Sequence, residues 1–283
     1  MRVKKFDAWG NDFLVLDLAD VRSEAQSGSS DQPGGVHNID WPSAARTWCS
    51  RDSGVGADGL LLLERIDDVN ARMKLYNSDG TIAEMSGNGA RCFAHALFRS
   101  DDARGERVYV LHTDAGERQV TVGGRGENEV NATVDMGEVT RIEAPHGWES
   151  IGAHPDRPVL HLSVGNPHTV VGVEDVGEVD VLKLGQMIPT VNLEVVAPGP
   201  ELHSITMRVH ERGAGITQAC GTGACASAWA AAEWGLVPHS TEQREVVVHM
   251  PGGDAIVTLH APTKGRVMLT GPATYVGAYE VAW

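Results

Sequence analysis

The stretch Ser86-Gly87-Asn88-Gly89-Ala90-Arg91-Cys92 returns in altered form as Cys220-Gly221-Thr222-Gly223-Ala224-Cys225. The offset of about 134 positions is close to half of the 283 residues. A weaker pair runs in the same order, Gly10-Asn11-Asp12 in the first half and Gly165-Asn166-Pro167 in the second. Either pair alone is within reach of coincidence. Both together, in order, point to duplication of a half, and such a repeat constrains a fold more than any single motif.

Both copies of the stronger motif open a segment that is apolar on nearly every side. The segments are Ala90 to Phe98 and Ala224 to Trp234, the latter stopped by Gly235. A helix without a polar face is buried on all sides. Around these segments, short alternating patterns predict strands at Phe13 to Leu16, Arg107 to Leu111, Val130 to Val134, Val159 to Val164, Ile205 to Val209 and Glu245 to His249. The expected architecture is α+β, with two pseudo-symmetric lobes, each an antiparallel sheet wrapped around a buried central helix, and an active site in the cleft between them. Residues 1–130, completed by the C-terminal segment 272–283, form the first lobe, and 131–271 the second. Ser23 to Pro42, rich in Gly, Pro, Ser and Asp, reads as a surface loop. Gly123 to Asn131 reads as a hairpin tip near the domain boundary.

A formal charge of −15 argues against a phosphate-tracking nucleic-acid binder and against an anionic membrane surface. No run approaches the roughly 18 apolar residues of a membrane span, and Met1 to Asp7 carries no apolar signal core, so a cytoplasmic location is expected. Cys49, Cys92, Cys220 and Cys225 are too sparse for a disulfide scaffold and lack the paired spacing of a zinc site. No cofactor and no metal are expected.

A turn of the form (Cys or Ser)-Gly-x-Gly-Ala supplies specific chemistry. Glycine lets the backbone approach a ligand closely. The first helical N–H groups lack partners within the helix and offer donors to a carboxylate. A side chain just ahead sits at the positive end of the helix dipole, which depresses a thiol pKa. Two such turns facing one molecule suit proton abstraction at a carbon α to a carboxylate and reprotonation from the other face, provided convergent dipoles stabilise the developing charge. A lone Gly-x-Gly turn is usually just a turn. Cys92 and Cys225, inside the helices, read as packing residues, and Cys49 as structural. Cys220 differs because it precedes its helix.

These residues resemble the diaminopimelate epimerase family. The likeness runs in order through Gly10-Asn11-Asp12-Phe13, Gly54-Val55-Gly56-Ala57-Asp58-Gly59, Tyr76-Asn77-Ser78-Asp79-Gly80 and Glu84 to Cys92. It continues through Gly165-Asn166-Pro167-His168, Val191-Asn192, Glu211 to Gly215, Ala219 to Cys225, Pro251-Gly252-Gly253 and Leu269 to Ala273. The resemblance implies a cofactor-independent epimerase interconverting LL- and meso-diaminopimelate in lysine and peptidoglycan precursor synthesis. It implies Cys220 as one acid/base and Ser86 in the place of the other. Backbone around Gly87, Asn88, Gly221 and Thr222 would hold the reacting carboxylate. Asn11, Asn77, Asn166, Asn192, Glu211 and Arg212 would grip the distal amino-acid end, where a zwitterion needs a cation, an anion and amides. A small-molecule substrate is the expected partner, and a homodimer is what the family suggests. Individually, an Asn beside Gly is equally well a turn former, and Glu211 with Arg212 a surface ion pair.

Three positions depart from the family pattern. Ser86 stands where a second catalytic cysteine is expected. With a thiol pKa near about 8.5 and water at about 15.7, forming the alkoxide is roughly 7 kcal/mol harder for an effective gap of about five units. Ser86 is compatible with an engineered replacement, with a natural enzyme working slowly or on another substrate, and with a non-catalytic amino-acid-binding homologue. Related hydroxyproline epimerases and dehydratases, or another amino-acid racemase, are the alternative enzymes. Ile216 stands where an acidic residue commonly follows Gly215. Asp7-Ala8-Trp9 replaces a segment where His and Gly are usual, and reads as loop variation near the substrate entry.

Overall fold

The computed structural model describes residues 1–27, 39–238, 244–260 and 263–282. They form a mixed α+β structure, mostly strand, that divides into two compact units: Met1–Val134 with Pro272–Trp283, and Asp135–Gly271. The first unit contains β1 (Arg2–Ala8), β2 (Asn11–Asp17), α1 (Leu18–Ser27), α2 (Trp41–Trp48), β3 (Gly59–Arg65), β4 (Asn70–Asn77), β5 (Ile82–Ala83), α3 (Gly87–Ser100), β6 (Glu106–Thr113), β7 (Gly116–Gly124) and the first part of β8 (Glu129–Glu138). The second takes the rest of β8, then β9 (Thr140–Arg141), β10 (Val159–Ser163), β11 (Pro167–Gly172), α4 (Val181–Met187), β12 (Asn192–Pro198), β13 (Ser204–Glu211), β14 (Gly215–Thr217), α5 (Gly221–Glu233), β15 (Arg244–Met250) and β16 (Gly253–Leu259). The last strand, β17 (Arg266–Glu280), starts in the second unit and ends in the first. Among the described residues no helix is long and apolar enough to cross a membrane.

The two units repeat one strand plan. In the first, β1 pairs antiparallel with β2, β2 parallel with β3, β3 antiparallel with β4, β4 parallel with β6, and β6, β7 and β8 follow antiparallel. β8 pairs with β17, and β17 pairs with β1, so the ring closes. In the second, β10–β11, β11–β12, β12–β13, β13–β15, β15–β16 and β16–β17 run antiparallel, parallel, antiparallel, parallel, antiparallel and antiparallel. That ring closes through β9 against β10, with Val139 N donating to Gly265 O between β8 and β17.

The wholly antiparallel sheet expected from sequence is therefore corrected to a closed ring with two parallel pairings in each unit. The cause is connectivity: parallel neighbours need a crossover of a dozen or more residues, commonly a helix. The β4–β6 and β13–β15 crossovers are the segments that carry α3 and α5. Closure also removes the open edges a flat sheet would present.

α3 is buried from Gly87 through Phe98, including Phe93, Leu97 and the charged Arg91. It packs on β1, β2, β3, β4, β6 and β7. Burying a side chain such as Phe93 or Leu97 contributes about 1.5–3 kcal/mol, so Phe93→Ala would leave a cavity no neighbour fills. α5 solves the same packing problem with alanine: Ala224, Ala226, Ala228, Ala230, Ala231 and Ala232 are all buried. Alanine is the best helix former and lets surrounding strands approach closely. Trp234 caps its end and Gly235 follows at φ +73°.

The loop expected over Ser23 to Pro42 is corrected at both ends. α1 runs to Ser27, and α2 begins at Trp41. Asp40 caps α2 by accepting from Ser43 N at 3.1 Å, with Pro42 in its first turn, so residues that look like loop punctuation are a helix start. Gly28, Pro33, Gly34 and Gly35 lie outside the described residues. Residues 125–128 form the tip between β7 and β8.

Candidate active site

Ser86 and Cys220 hold the same local position. Each has extended backbone, φ −141° and −128°, and each caps its helix. Ser86 Oγ accepts from Gly89 N at 3.0 Å, and Cys220 Sγ accepts from Gly223 N at 3.3 Å. Ala90 N and Ala224 N donate to the carbonyls of Ser86 and Cys220, both at 2.8 Å. The N–H groups of Gly87 and Asn88, and of Gly221 and Thr222, precede these first intrahelical bonds and belong to the donors a helix N-terminus leaves over.

In the first unit, Asn88 Nδ2 donates to Asn11 Oδ1 at 3.1 Å. Asn11 Nδ2 donates to Asp58 Oδ2 at 2.7 Å, and Arg51 donates to Asp58 Oδ1 at 2.8 Å and to both oxygens of Asp12. Lys5 pairs with Asp12 at 2.7 Å. Burial works against the Asp12 carboxylate, but the bonds from Arg51 and Lys5 outweigh it and hold the carboxyl below its ordinary value. Asn77 stands apart from this chain: it is exposed and donates to Thr81 Oγ1 at 2.9 Å.

Beneath Asn88 lies Arg91, fully buried, donating to Asn88 Oδ1 and to Pro272 O, both at 2.7 Å. The Trp9 ring covers its guanidinium at 3.5 Å. Trp9 and Gly10 both have positive φ, +59° and +78°, and join β1 to β2 as a two-residue hairpin turn. Trp9 is 5% exposed. The variation at Asp7-Ala8-Trp9 is thus a buried strand end and turn rather than a loose loop. The cation–π contact offsets the strain of a bulky residue in that conformation.

In the second unit, Asn166 Nδ2 donates to Thr222 Oγ1 at 3.3 Å, repeating the Asn11–Asn88 contact. Thr222 Oγ1 lies 3.5 Å from Cys220 Sγ. Asn192 Oδ1 accepts from Arg212 N at 2.8 Å, while the Arg212 side chain is exposed. Glu211 accepts from Thr217 Oγ1 and its carboxyl interacts with Cys220. Burial pushes the Glu211 carboxyl up, against the pull of Thr217 and Cys220. Ile216, on β14, is exposed.

The Cys220 thiol stands well above its ordinary range. Burial is the largest cause, followed by the charges of Glu211 and Glu194; the contacts with Thr222 and Gly223 N–H only partly offset them. The depression expected from the helix terminus is corrected: two carboxylates and desolvation outweigh a terminus whose effect amounts to about 2 kcal/mol at most. Burial raises Cys92 and Cys49 as well, the latter to about 12.

Sequence reading did not anticipate that Glu211 lies beside Cys220, or the contacts of Asp58, Arg91 and Glu194. Glu194 is fully buried, with Oε1 at 2.7 Å from His168 Nδ1. Its signal was available: a lone carboxylate inside the apolar run Leu193-Glu194-Val195-Val196 is rarely buried without a partner and a purpose.

This fold recurs among solved structures. A predicted epimerase from Pseudomonas aeruginosa matches with TM-score 0.72 and 16% identity over 100% of this chain and 99% of that one. A hydroxyproline epimerase from Agrobacterium vitis, with trans-4-hydroxy-L-proline bound, matches at 0.67 and 17% identity over 99% and 90%. These likenesses show the fold. A family model described as diaminopimelate epimerase matches residues 10–142 and 160–276. The diaminopimelate epimerase of Desulfitobacterium hafniense is 36% identical over 98% of this chain and 96% of its own length. That of Thermosynechococcus vestitus is 34% identical over 96% of both. The chain belongs to the diaminopimelate epimerase family.

Proposed function

We propose that this protein inverts the α-carbon of diaminopimelate, between its LL and meso forms, by proton transfer without a cofactor. The observation that carries the reading is the pair of equivalent helix mouths, one capped by Cys220 and the other by Ser86. N–H groups of Gly87 and Asn88, with Gly221 and Thr222, suit the carboxylate whose charge grows as the α-proton leaves. Asn11, Asn77, Asn166, Asn192 and the exposed cation of Arg212 are assigned to the distal amino-acid end, and Glu211, beside Cys220, to the reacting end. Their joint presence favours diaminopimelate over a smaller amino acid.

Cys220 acts on one face of the α-carbon. Glu211, beside the thiol, takes its proton, and the thiolate so formed removes the α-proton. Inversion then needs a proton on the opposite face, where Ser86 is the donor. Donation leaves a seryl alkoxide, roughly 7 kcal/mol harder to form than a thiolate for a gap of about five pKa units, which then takes a proton from water; the reverse reaction starts from that same alkoxide. Removal and return on the Cys220 face carries no such burden, so exchange of the α-hydrogen outruns inversion.

The test is proton exchange in deuterated water with each diaminopimelate isomer. Exchange is expected to be faster from the isomer presenting its α-hydrogen to Cys220, and Ser86→Cys to raise inversion by orders of magnitude. An inversion rate untouched by Ser86→Cys would remove position 86 from the mechanism. Arg212→Ala separates substrates: it raises KM for diaminopimelate and leaves an imino acid such as hydroxyproline, which lacks a distal zwitterion, nearly unaffected.

A further inference from the structure

The duplicated strand plan supplies an internal comparison for the buried His168–Glu194 pair. In the parallel pairing of β2 with β3, Phe13 lies opposite Gly59; in that of β11 with β12, His168 lies opposite Asn192. Phe13 follows Asn11 by two positions, as His168 follows Asn166, and Leu61 is the third residue of β3, as Glu194 is of β12. The first unit therefore fills with Phe13 and Leu61, both buried, the positions the second fills with His168 and Glu194, both fully buried. The strand plan works with an apolar pair there. Replacing a buried pair of ionisable groups with apolar residues is often neutral or stabilising, so its presence calls for a reason other than stability.

The contacts supply one. His168 Nδ1 meets Glu194 Oε1 at 2.7 Å, and Nε2 meets Asn166 Oδ1 at 2.9 Å. With the ring held from one side by a carboxylate, the amide of Asn166 is turned so that Nδ2 donates to Thr222 Oγ1, which touches Cys220 Sγ. The other oxygen of Glu194, Oε2, is buried without a partner, an expense that packing does not explain. A Cβ on Gly223 would stand 2.6 Å from Glu194 Oε1 and 3.2 Å from Cys220 Sγ, so the carboxylate lies directly under the first turn of α5.

We infer that Glu194 is a positioning residue for the Cys220 half of the site, orienting Asn166 and Thr222 through His168 and setting the charge beneath the thiol. The inference deepens the proposed epimerase reading, and its principal readout is independent of substrate. The titratable groups facing Cys220 are Glu211 on β13 and Glu194 on β12, with His168 on β11 next to Glu194.

The experiment measures the pH dependence of iodoacetamide alkylation at Cys220, followed by peptide mass spectrometry, in the parent, in Glu194→Gln and in the double variant His168→Phe/Glu194→Leu. The double variant imports the first unit's own pair and is expected to melt at or above the parent temperature. In both variants the alkylation midpoint is expected to fall, because one of two facing carboxylates is gone. Below the midpoint, each pH unit of displacement reads as about a tenfold faster reaction. α-Deuterium exchange on diaminopimelate is expected to drop at least about tenfold, as when an outer-shell orienting partner is lost. An alkylation profile unmoved in Glu194→Gln, which conserves volume, overturns the inference whatever the double variant does. A moved profile with no exchange in the parent would instead count against the epimerase reading alone.

Discussion

The equivalent glycines Gly89 and Gly223 offer a matched perturbation, because each is the third residue of its helix. An alanine Cβ at Gly223 would stand 2.6 Å from Glu194 Oε1, whereas ordinary contact begins near 3.4 Å. Glu194 is fully buried and tied to His168 at 2.7 Å, so yielding the missing distance of about 0.8 Å would stretch that bond beyond useful length. Losing a hydrogen bond to a charged group costs about 1.5–3 kcal/mol, and alanine in place of glycine returns up to about 1 kcal/mol of helix propensity. The net loss for Gly223→Ala is about 1–2 kcal/mol. At Gly89 the nearest atoms are Ser86 Cβ at 3.1 Å, Ser86 Oγ at 3.3 Å and Phe13 Cζ at 3.6 Å. They give with little strain, and Gly89→Ala should be neutral or stabilising by up to about 1 kcal/mol. The difference between the variants is about 2 kcal/mol. At about 2–4 °C per kcal/mol, scanning calorimetry should resolve it as a gap of several degrees. Two compact units allow more than one transition, so each endotherm should be fitted separately. Equal melting behaviour of Gly89→Ala and Gly223→Ala would refute the argument that a clamped carboxylate, rather than the helix turn itself, demands glycine at 223.

Three further outcomes are expected. Burial raises the Cys49, Cys92 and Cys220 thiols, so fewer than about one thiol per chain should react with Ellman's reagent at about pH 8 in the native protein; unfolding should release all four cysteines. Burial also raises Asp7, reinforced by Asp12 and Asp58 and opposed by the Gly10 N–H and Arg91. A carboxyl whose folded pKa lies above its unfolded value of about 3.9 costs stability once pH climbs through that interval. Asp7→Asn should therefore raise the melting temperature at pH 7 and give no gain at pH 3. Asp58→Ala removes the acceptor that holds Asn11 Nδ2 and should raise the KM for diaminopimelate about tenfold, or about 1.4 kcal/mol, while binding isotherms of Asn77→Ala report the same end of the substrate independently.

Much of the molecule was legible in the chain because local physics dominates where it was read. The helices following Ser86 and Cys220 were visible from their all-round apolar character, and the strands from their alternation. The parallel pairings were not, since a crossover is decided by which strands become neighbours and no single strand records it. The start of α2 was hidden because Asp40 and Pro42 serve loops and helix caps alike. At the site, the two caps could be found from the repeat. The direction of the Cys220 shift could not, because it depends on burial and on Glu211 and Glu194, brought under one thiol by β12 and β13. The partnership of His168 and Glu194 emerges only once β11 and β12 are in register.

Strand β17 has a consequence for how the polypeptide is made. Arg2 to Asp7 pair with Thr274 to Glu280, so the first ring is sealed by a strand synthesised long after its own first strand. Asp135–Gly271, by contrast, is continuous in the chain. During synthesis the later half is thus complete before the earlier one, reversing the usual order in which amino-terminal units mature first. Until the ribosome has delivered β17, the backbone groups of β1 on that side stay unpaired, a template for unwanted association that β17 then covers.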